Sequence, residues 1–300
     1  MAALAGQQVE LPDGSTARVS VRAACRALGV PVSTFYDWST PRPPSGRDLD
    51  DAYLLDTIID VHTRSRGTYG VRRVHADLRL GEHTVPVPTV SRRRVARLMA
   101  CHGLQGVHRR RWRAGGIRDE ASWPDHVRRE FRADRPNRLW VTDITQHRSG
   151  QGWVYCAVVL DVYSRRVVGW SIADHLRTEL VVDALEMARM HRKPVGTVVH
   201  SDRGAQYTSW LFGNRLREAG LLGSMGKVAT CYDNALMESF FGSMQIELLD
   251  RRTWATRDEL AAAIFEWIEA WYNPYRRHSA LGYHSPVDYE HLHTTAPAAA

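Results

Sequence analysis

Residues 153–162 read W-V-Y-C-A-V-V-L-D-V, a nearly continuous apolar run of strand length. A run of this kind, rich in β-branched residues, suits a strand covered on both faces in a sheet interior. Before it, Leu139–His147 is a β-branched, alternating stretch, and after it Arg166–Ile172 (R-V-V-G-W-S-I) reads as a third strand. The turns between the three are short, so they are expected to form an antiparallel meander.

The chain then alternates. A helix capped by Thr178 turns Leu180, Val181, Ala184, Leu185 and Ala188 inward. A fourth strand covers Val195–His200, a helix lies near Trp210–Ala219, and a short strand near Leu222–Met225. Asn234 to about Leu249 is helical, and Asp258–Trp271 is a strongly amphipathic helix. The order βββαβαβα is that of an α/β RNase H-like fold.

The first half is different in kind. Residues 1–134 carry 22 Lys/Arg against 15 Asp/Glu, whereas 135–300 carries 18 of each. Between Arg64 and Arg113 there are 13 arginines against Asp77 and Glu82. Arginine's planar fork suits phosphate and guanine edges, so this segregation points to nucleic acid rather than to a solvated basic surface. Val21, Ala24, Cys25 and Leu28 have helical spacing, Gly29 and Pro31 interrupt, and Ser33 can cap a short helix with Phe35, Tyr36 and Trp38. A helix-turn-helix and an ordinary helical hairpin read alike here.

Residues 48–66 form an amphipathic helix with Leu54, Leu55, Ile58, Ile59 and His62 on one side, followed by a helix over Arg72–Leu80. A last helix, Thr89 to Cys101, points Val90, Val95 and Leu98 inward and Arg92, Arg93, Arg94 and Arg97 outward, as a groove or phosphate reader would. The expected organisation is an N-terminal helical segment (1–46), a basic helix-turn-helix-like DNA-binding domain (47–112) with the cluster Arg109, Arg110 and Arg111 near its end, a linker (113–134), an RNase H-like catalytic core (135–290) and a flexible tail (291–300).

Three acids stand out in the core. Asp143 lies mid-strand in W-V-T-D-I-T, Asp202 ends the fourth strand in V-V-H-S-D-R-G, and Glu238 lies on a helix in D-N-A-L-M-E-S-F-F. A carboxylate inside an apolar strand needs a cation or donors. Three converging carboxylates repel one another, and a bound cation relieves that; hard oxygen ligands select Mg²⁺ or Mn²⁺. Each acid alone reads as a turn former or a solvated helix face. Asp161, another acid at a strand end, is read as structural.

These motifs resemble the DDE superfamily of retroviral integrases and bacterial insertion-sequence transposases, and most closely the integrase-like second-frame product of two-frame insertion elements. The resemblance rests on W-V-T-D-I-T at 140–145, L-D-V-Y-S-R-R-V-V-G-W at 160–170, H-S-D-R-G-A-Q-Y at 200–207, D-N-A-L-M-E-S-F-F at 233–241 and W-Y-N-P-Y-R-R-H-S-A-L-G-Y-H-S-P at 271–286. Thirty-five residues separate Asp202 from Glu238, the gap characteristic of that superfamily.

The resemblance implies Asp143, Asp202 and Glu238 as catalytic metal ligands for two Mg²⁺ or Mn²⁺ ions. It implies His200, Ser201, Gly204, Gln206, Tyr207 and Asn234 as the rim of the site. DNA contacts are expected from Arg72, Arg73, Arg92, Arg93, Arg94, Arg97, Arg109, Arg110, Arg111, Gln245, Arg276 and Arg277. Gln245 is a departure, since family members often carry Lys or Arg seven residues after the catalytic Glu.

The implied activity is transposition, in which terminal inverted repeats are bound, the 3′ end is cleaved and the strand transferred. The implied partners are element and target DNA, a second copy of the chain and an upstream-frame product of the same element. A nuclease that cuts without joining and a DNA-binding regulator with an inactive core are the alternatives. The four cysteines form no C-x-x-C pair, no stretch approaches the roughly 20 apolar residues of a bilayer span, and no signal-like segment opens the chain, so a bacterial cytoplasmic location is expected.

Overall fold

The computed structural model describes residues 8–10, 15–39, 43–81, 83, 90–108, 132–202, 204–225 and 235–294. It divides into two compact units, Met1–Tyr53 and Leu54–Ala300.

In the first unit, strands β1 (Gln8–Glu10) and β2 (Thr16–Arg18) pair antiparallel, with Val9 opposite Ala17. This hairpin departs from the all-helical expectation, and the Asp13-Gly14 pair between the strands is the sequence signal for it. Helix α1 (Val21–Ala27) is capped by Ser20, whose hydroxyl accepts from the Ala23 N–H at 3.2 Å, and it buries Ala24 and Cys25. Helix α2 (Val32–Ser39) starts one residue before the expected cap and buries none of its aromatic residues.

Helix α3 (Gly46–Arg64) belongs to the second unit from Leu54 onward. There it buries Leu54, Ile58 and Val61, while Ile59 stays exposed. Helices α4 (Val71–Leu80) and α5 (Arg92–Cys101) follow, the latter capped by Ser91. Val74, Val90, Val95 and Leu98 are buried as their spacing requires. The three helices share one apolar cluster with the sheet and with Trp271 and Tyr272.

The sheet has five strands in the order β5-β4-β3-β6-β7: β3 (Leu139–Ser149), β4 (Gly152–Asp161), β5 (Val167–Ala173), β6 (Val198–Ser201) and β7 (Leu222–Met225). The first three form the expected antiparallel meander; β6 pairs parallel to β3, and β7 parallel to β6. This is the RNase H-like order. Side chains alternate across it. Trp140, Ala157 and Val159 meet α6 (Thr178–Arg192) and, beyond the four-residue α7 (Ala205–Thr208), α8 (Trp210–Glu218). Val141, Val158 and Leu160 share the other cluster with α9 (Ala235–Glu247) and α10 (Arg257–Glu266). Arg177, not Thr178, precedes α6, with no side-chain cap.

Gly169 on β5 permits the α6 contact, because a Cβ there would collide with the Ala184 carbonyl oxygen and lie 2.7 Å from the Ala188 nitrogen. The helix of α10 continues as a π-turn, Trp267–Tyr272, and the chain ends its described part in α11 (Pro286–Thr294). Residues 271–290 strap this side of the molecule. Asn273 Oδ1 accepts from the Val167 N–H at 2.9 Å and its Nδ2 donates to the Val167 carbonyl at 3.0 Å. Glu290 accepts from Arg166, Arg192 and Ser164. Among the described residues no helix is long and apolar enough to cross a membrane.

Candidate active site

The parallel register of β3 and β6 pairs Val141 with His200 and Thr142 with Ser201. Asp143 and Asp202 are the next residues on each chain, so the two acids stand side by side where β6 ends. Asp143 is largely buried. Burial first, then the charge of Asp202 and that of Glu238, push its carboxyl up to about 7, against a hydrogen bond from the Ile144 N–H to its Oδ1 at 2.8 Å. Asp202 is exposed, and its Oδ1 accepts from the Gly204 N–H at 3.0 Å. A Cβ on Gly204 would stand 3.2 Å from that oxygen, so glycine lets the carboxylate fold back onto its loop.

Glu238 lies in the first turn of α9, exposed, between buried Met237 and Phe240. Its charge reaches Asp143. Among the described residues, though, no three His, Cys, Asp or Glu side chains stand close enough to hold one metal ion. The donor chemistry nonetheless fits a hard divalent cation: the three candidate groups offer oxygens, and burial together with the charges of Asp202 and Glu238 raises the Asp143 carboxyl.

The neighbours of the two aspartates form a floor as well as an edge. Tyr207 is buried, its phenol oxygen 3.3 Å from Thr142 Oγ1, and burial, followed by the charge of Asp143, raises its phenol well above the usual range. His200 and Ser201 are buried too; His200 Nδ1 lies 3.1 Å from Ser224 Oγ and ties β6 to β7. Both were expected at the rim and lie beneath it, because they sit inside a sheet covered on both faces. Gln206, half-buried, donates to the Leu176 carbonyl at 3.2 Å. Asn234 lies outside the described residues, as do Arg109, Arg110 and Arg111. Asp161 is fully buried, accepts from the N–H groups of Asn137 and Tyr163, and lies 3.6 Å from Arg192, so it closes a turn away from the site.

The candidate DNA-contacting residues separate by burial. Arg72, Arg92, Arg93 and Arg97 are exposed, and Arg94 is half-buried. Arg276 is a correction. It is buried, donating from Nε and Nη2 to Glu247 at 2.8 and 2.7 Å and from Nη2 to Ser243 at 2.9 Å, so its guanidinium secures α9 from within and is no surface cation. Arg277 is similarly engaged, donating to Asp77 at 3.0 Å, and Arg73 donates to Glu247 at 3.2 Å. Gln245 donates to Asp250 in the 3-10 turn, Leu249–Arg251, that follows α9. Glu247 is the residue sequence reasoning missed. As the one acid near the end of a helix packed against the core, it was open to the suspicion that it needs a buried cation.

Comparison with known proteins matches residues 133–231 and 220–286 to two models described as integrase core domain, and residues 48–112 to an HTH-like domain. The transposase for insertion sequence element IS629 of Shigella sonnei is 39% identical over 89% of this chain and 90% of that relative. The transposase InsF for insertion sequence IS3A of Escherichia coli K12 is 37% identical over 91% and 95%. Among solved structures, a chain of a simian T-cell lymphotropic virus intasome is 14% identical, with a TM-score of 0.45 over 77% of this chain and 76% of its own. An HTLV-2 integrase catalytic core, in complex with magnesium, is 18% identical, with a TM-score of 0.41 over 53% and 100%. With an HTH-like domain ahead of an integrase core, and identity near two-fifths across nine-tenths of a known relative, the chain belongs to the insertion-sequence transposases.

Proposed function

We propose that this transposase binds the terminal inverted repeats of its element, cleaves their 3′ ends and joins them to target DNA, with Asp143, Asp202 and Glu238 as catalytic carboxylates. The observation that supports this most is the β3–β6 register, which sets Asp143 beside Asp202 within reach of the charge of Glu238. Two Mg²⁺ ions held by the three acids, or Mn²⁺ in their place, would supply charge neutralisation at the attacking and leaving oxygens of an in-line phosphoryl displacement.

The residues of the chain do the rest. Asp143 is held in β3, and its carboxylate form would be the one to hold a cation. Asp202 sits on a loop that the Gly204 N–H holds in place. Glu238 completes the set by approaching the aspartates from α9. Tyr207 and Thr142 wall the floor against water. Exposed Arg72, Arg92, Arg93 and Arg97 grip the phosphate backbone ahead of the core, and Arg109, Arg110 and Arg111 extend that grip. The active form is at least a dimer that holds both element ends, works in the bacterial cytoplasm where the chromosome lies, and takes an upstream-frame product as a further partner.

Asp202→Asn tests the assignment. The variant should bind end DNA as wild type does and lose Mg²⁺-dependent cleavage by about a thousandfold or more; retained cleavage removes Asp202 from the chemistry. A regulator with an inactive core draws on the absence of a closed three-ligand cage among the described residues. Joining of pre-cleaved ends by the wild-type chain excludes that reading and the nuclease reading together.

A further inference from the structure

Arg165 stands in the turn between β4 and β5, in the Y-S-R-R run of a motif given no task so far. Its φ is +58°, in the left-handed region that disfavours any residue with a side chain and that persists where the surroundings or the function demand it. The side chain is half-buried, and no hydrogen bond or ion pair joins its guanidinium to another group among the described residues. It lines a cleft of about 20 Å³ together with Ser239, Ser243, Arg276 and His278.

The described charges around that cleft are mostly positive. Burial first, and also the charge of Arg276, lower the pKa values of both Arg165 and Arg73. Burial, then Arg276, Arg165 and Arg73 in turn, drive His278 well below its usual range, so its imidazole is neutral. Arg73 and Arg276 share one carboxylate, Glu247. Among the described residues, three guanidiniums therefore stand against one carboxylate in a partly water-excluded pocket, where unpaired charge is costly. Such a surplus of positive charge favours an anion.

Size and position narrow the choice. A cavity of this volume admits about one water-sized atom, so a phosphate oxygen enters and a base does not. Leu236 and Ser239 also line the cleft, and they flank Glu238 on α9. We propose that the cleft takes an oxygen of a non-scissile backbone phosphate, with Arg165 and Ser239 as donors, and so lays the DNA strand across the start of α9 beside Glu238. This contact rests on the strand-transfer reading above. It positions DNA without reading sequence.

Arg165→Gly tests it without endangering the fold, since glycine adopts this φ freely and the change removes an unpaired positive charge. The variant should melt at or above the wild-type temperature. It should bind end DNA about tenfold more weakly whatever the sequence, with a salt dependence lower by about one phosphate contact. Arg165→Lys should recover most of the loss. Methylphosphonate placed at each phosphate in turn should find one position that costs wild type about tenfold and Arg165→Gly nothing.

Unchanged affinity and salt dependence overturn the proposal. So does a loss that tracks a lowered melting temperature and is not rescued by lysine. Millimolar inorganic phosphate that stabilises wild type, but not Arg165→Gly, without competing with DNA would assign the cleft to free phosphate and also overturn it. Failure of the catalytic reading shows separately, as cleavage retained by Asp202→Asn.

Discussion

At residue 143 an acid stands in an otherwise apolar strand, and the cost of keeping it there depends on pH. Its carboxyl is raised from 3.8 to about 7 by burial and by Asp202 and Glu238. Ionisation is therefore penalised in the folded chain. The penalty is absent below about pH 3.8, grows as pH rises, and is complete above about 7. Asp143→Asn should stabilise the metal-free protein at pH 8 by about 2–4 kcal/mol, and by little at pH 4, while abolishing cleavage. Thermal melts at the two pH values check this, and a destabilised variant at pH 8 contradicts it. Mg²⁺ competes with the same proton, so its apparent affinity should fall as pH drops below 7. Asp143 and Asp161 show what one residue in a sequence can tell. Both are acids in β-strand runs. Only the motif order separated them, and of the two N–H donors that satisfy Asp161, the one from Asn137 lies 24 residues away, outside any motif.

At the scale of elements, the meander and its alternating partners were legible because apolar runs of strand length leave few other foldings. The strap at 271–290 was legible as a motif and not as a device. Its W-Y-N-P-Y-R-R-H run suggested surface arginines, whereas Arg276 is drawn inward by Glu247, 29 positions earlier. Such a pairing has no local signature, since each partner is unremarkable until the fold brings the two together. Glu247→Gln should destabilise the protein by about 3–5 kcal/mol, because it leaves Arg276 buried without a counter-charge; an unchanged denaturation midpoint contradicts that. Gly169→Ala should cost about 1–3 kcal/mol by forcing α6 away from β5. The hairpin β1–β2 was missed because attention to helical spacing passed over Asp13-Gly14, a local signal.

Across the whole molecule, the charge division between the two halves was visible from counting, but its use was not. Part of the basic first half is spent on holding the molecule together: Arg73 on Glu247, Arg66 on Glu266, Arg64 on Asp77. Arg72 on α4 and Arg92 and Arg93 on α5 are exposed and belong to the set proposed to meet DNA. Replacing Arg92 and Arg93 together with alanine should weaken binding at all sequences and lower the salt dependence by about two phosphate contacts, with little change in stability.

Asp143, Asp202 and Glu238 are proposed to act as one unit, although Glu238 lies exposed on α9 and no three-ligand cage closes among the described residues. The most direct measurement is Mg²⁺-dependent joining of a pre-cleaved end by Asp143→Asn, Asp202→Asn and Glu238→Gln, singly and in pairs. Each single variant should lose about a thousandfold or more, and each pair no more than its worst member, as for groups that work only together. Joining that survives in Glu238→Gln, or losses that multiply in the pairs, would contradict the account.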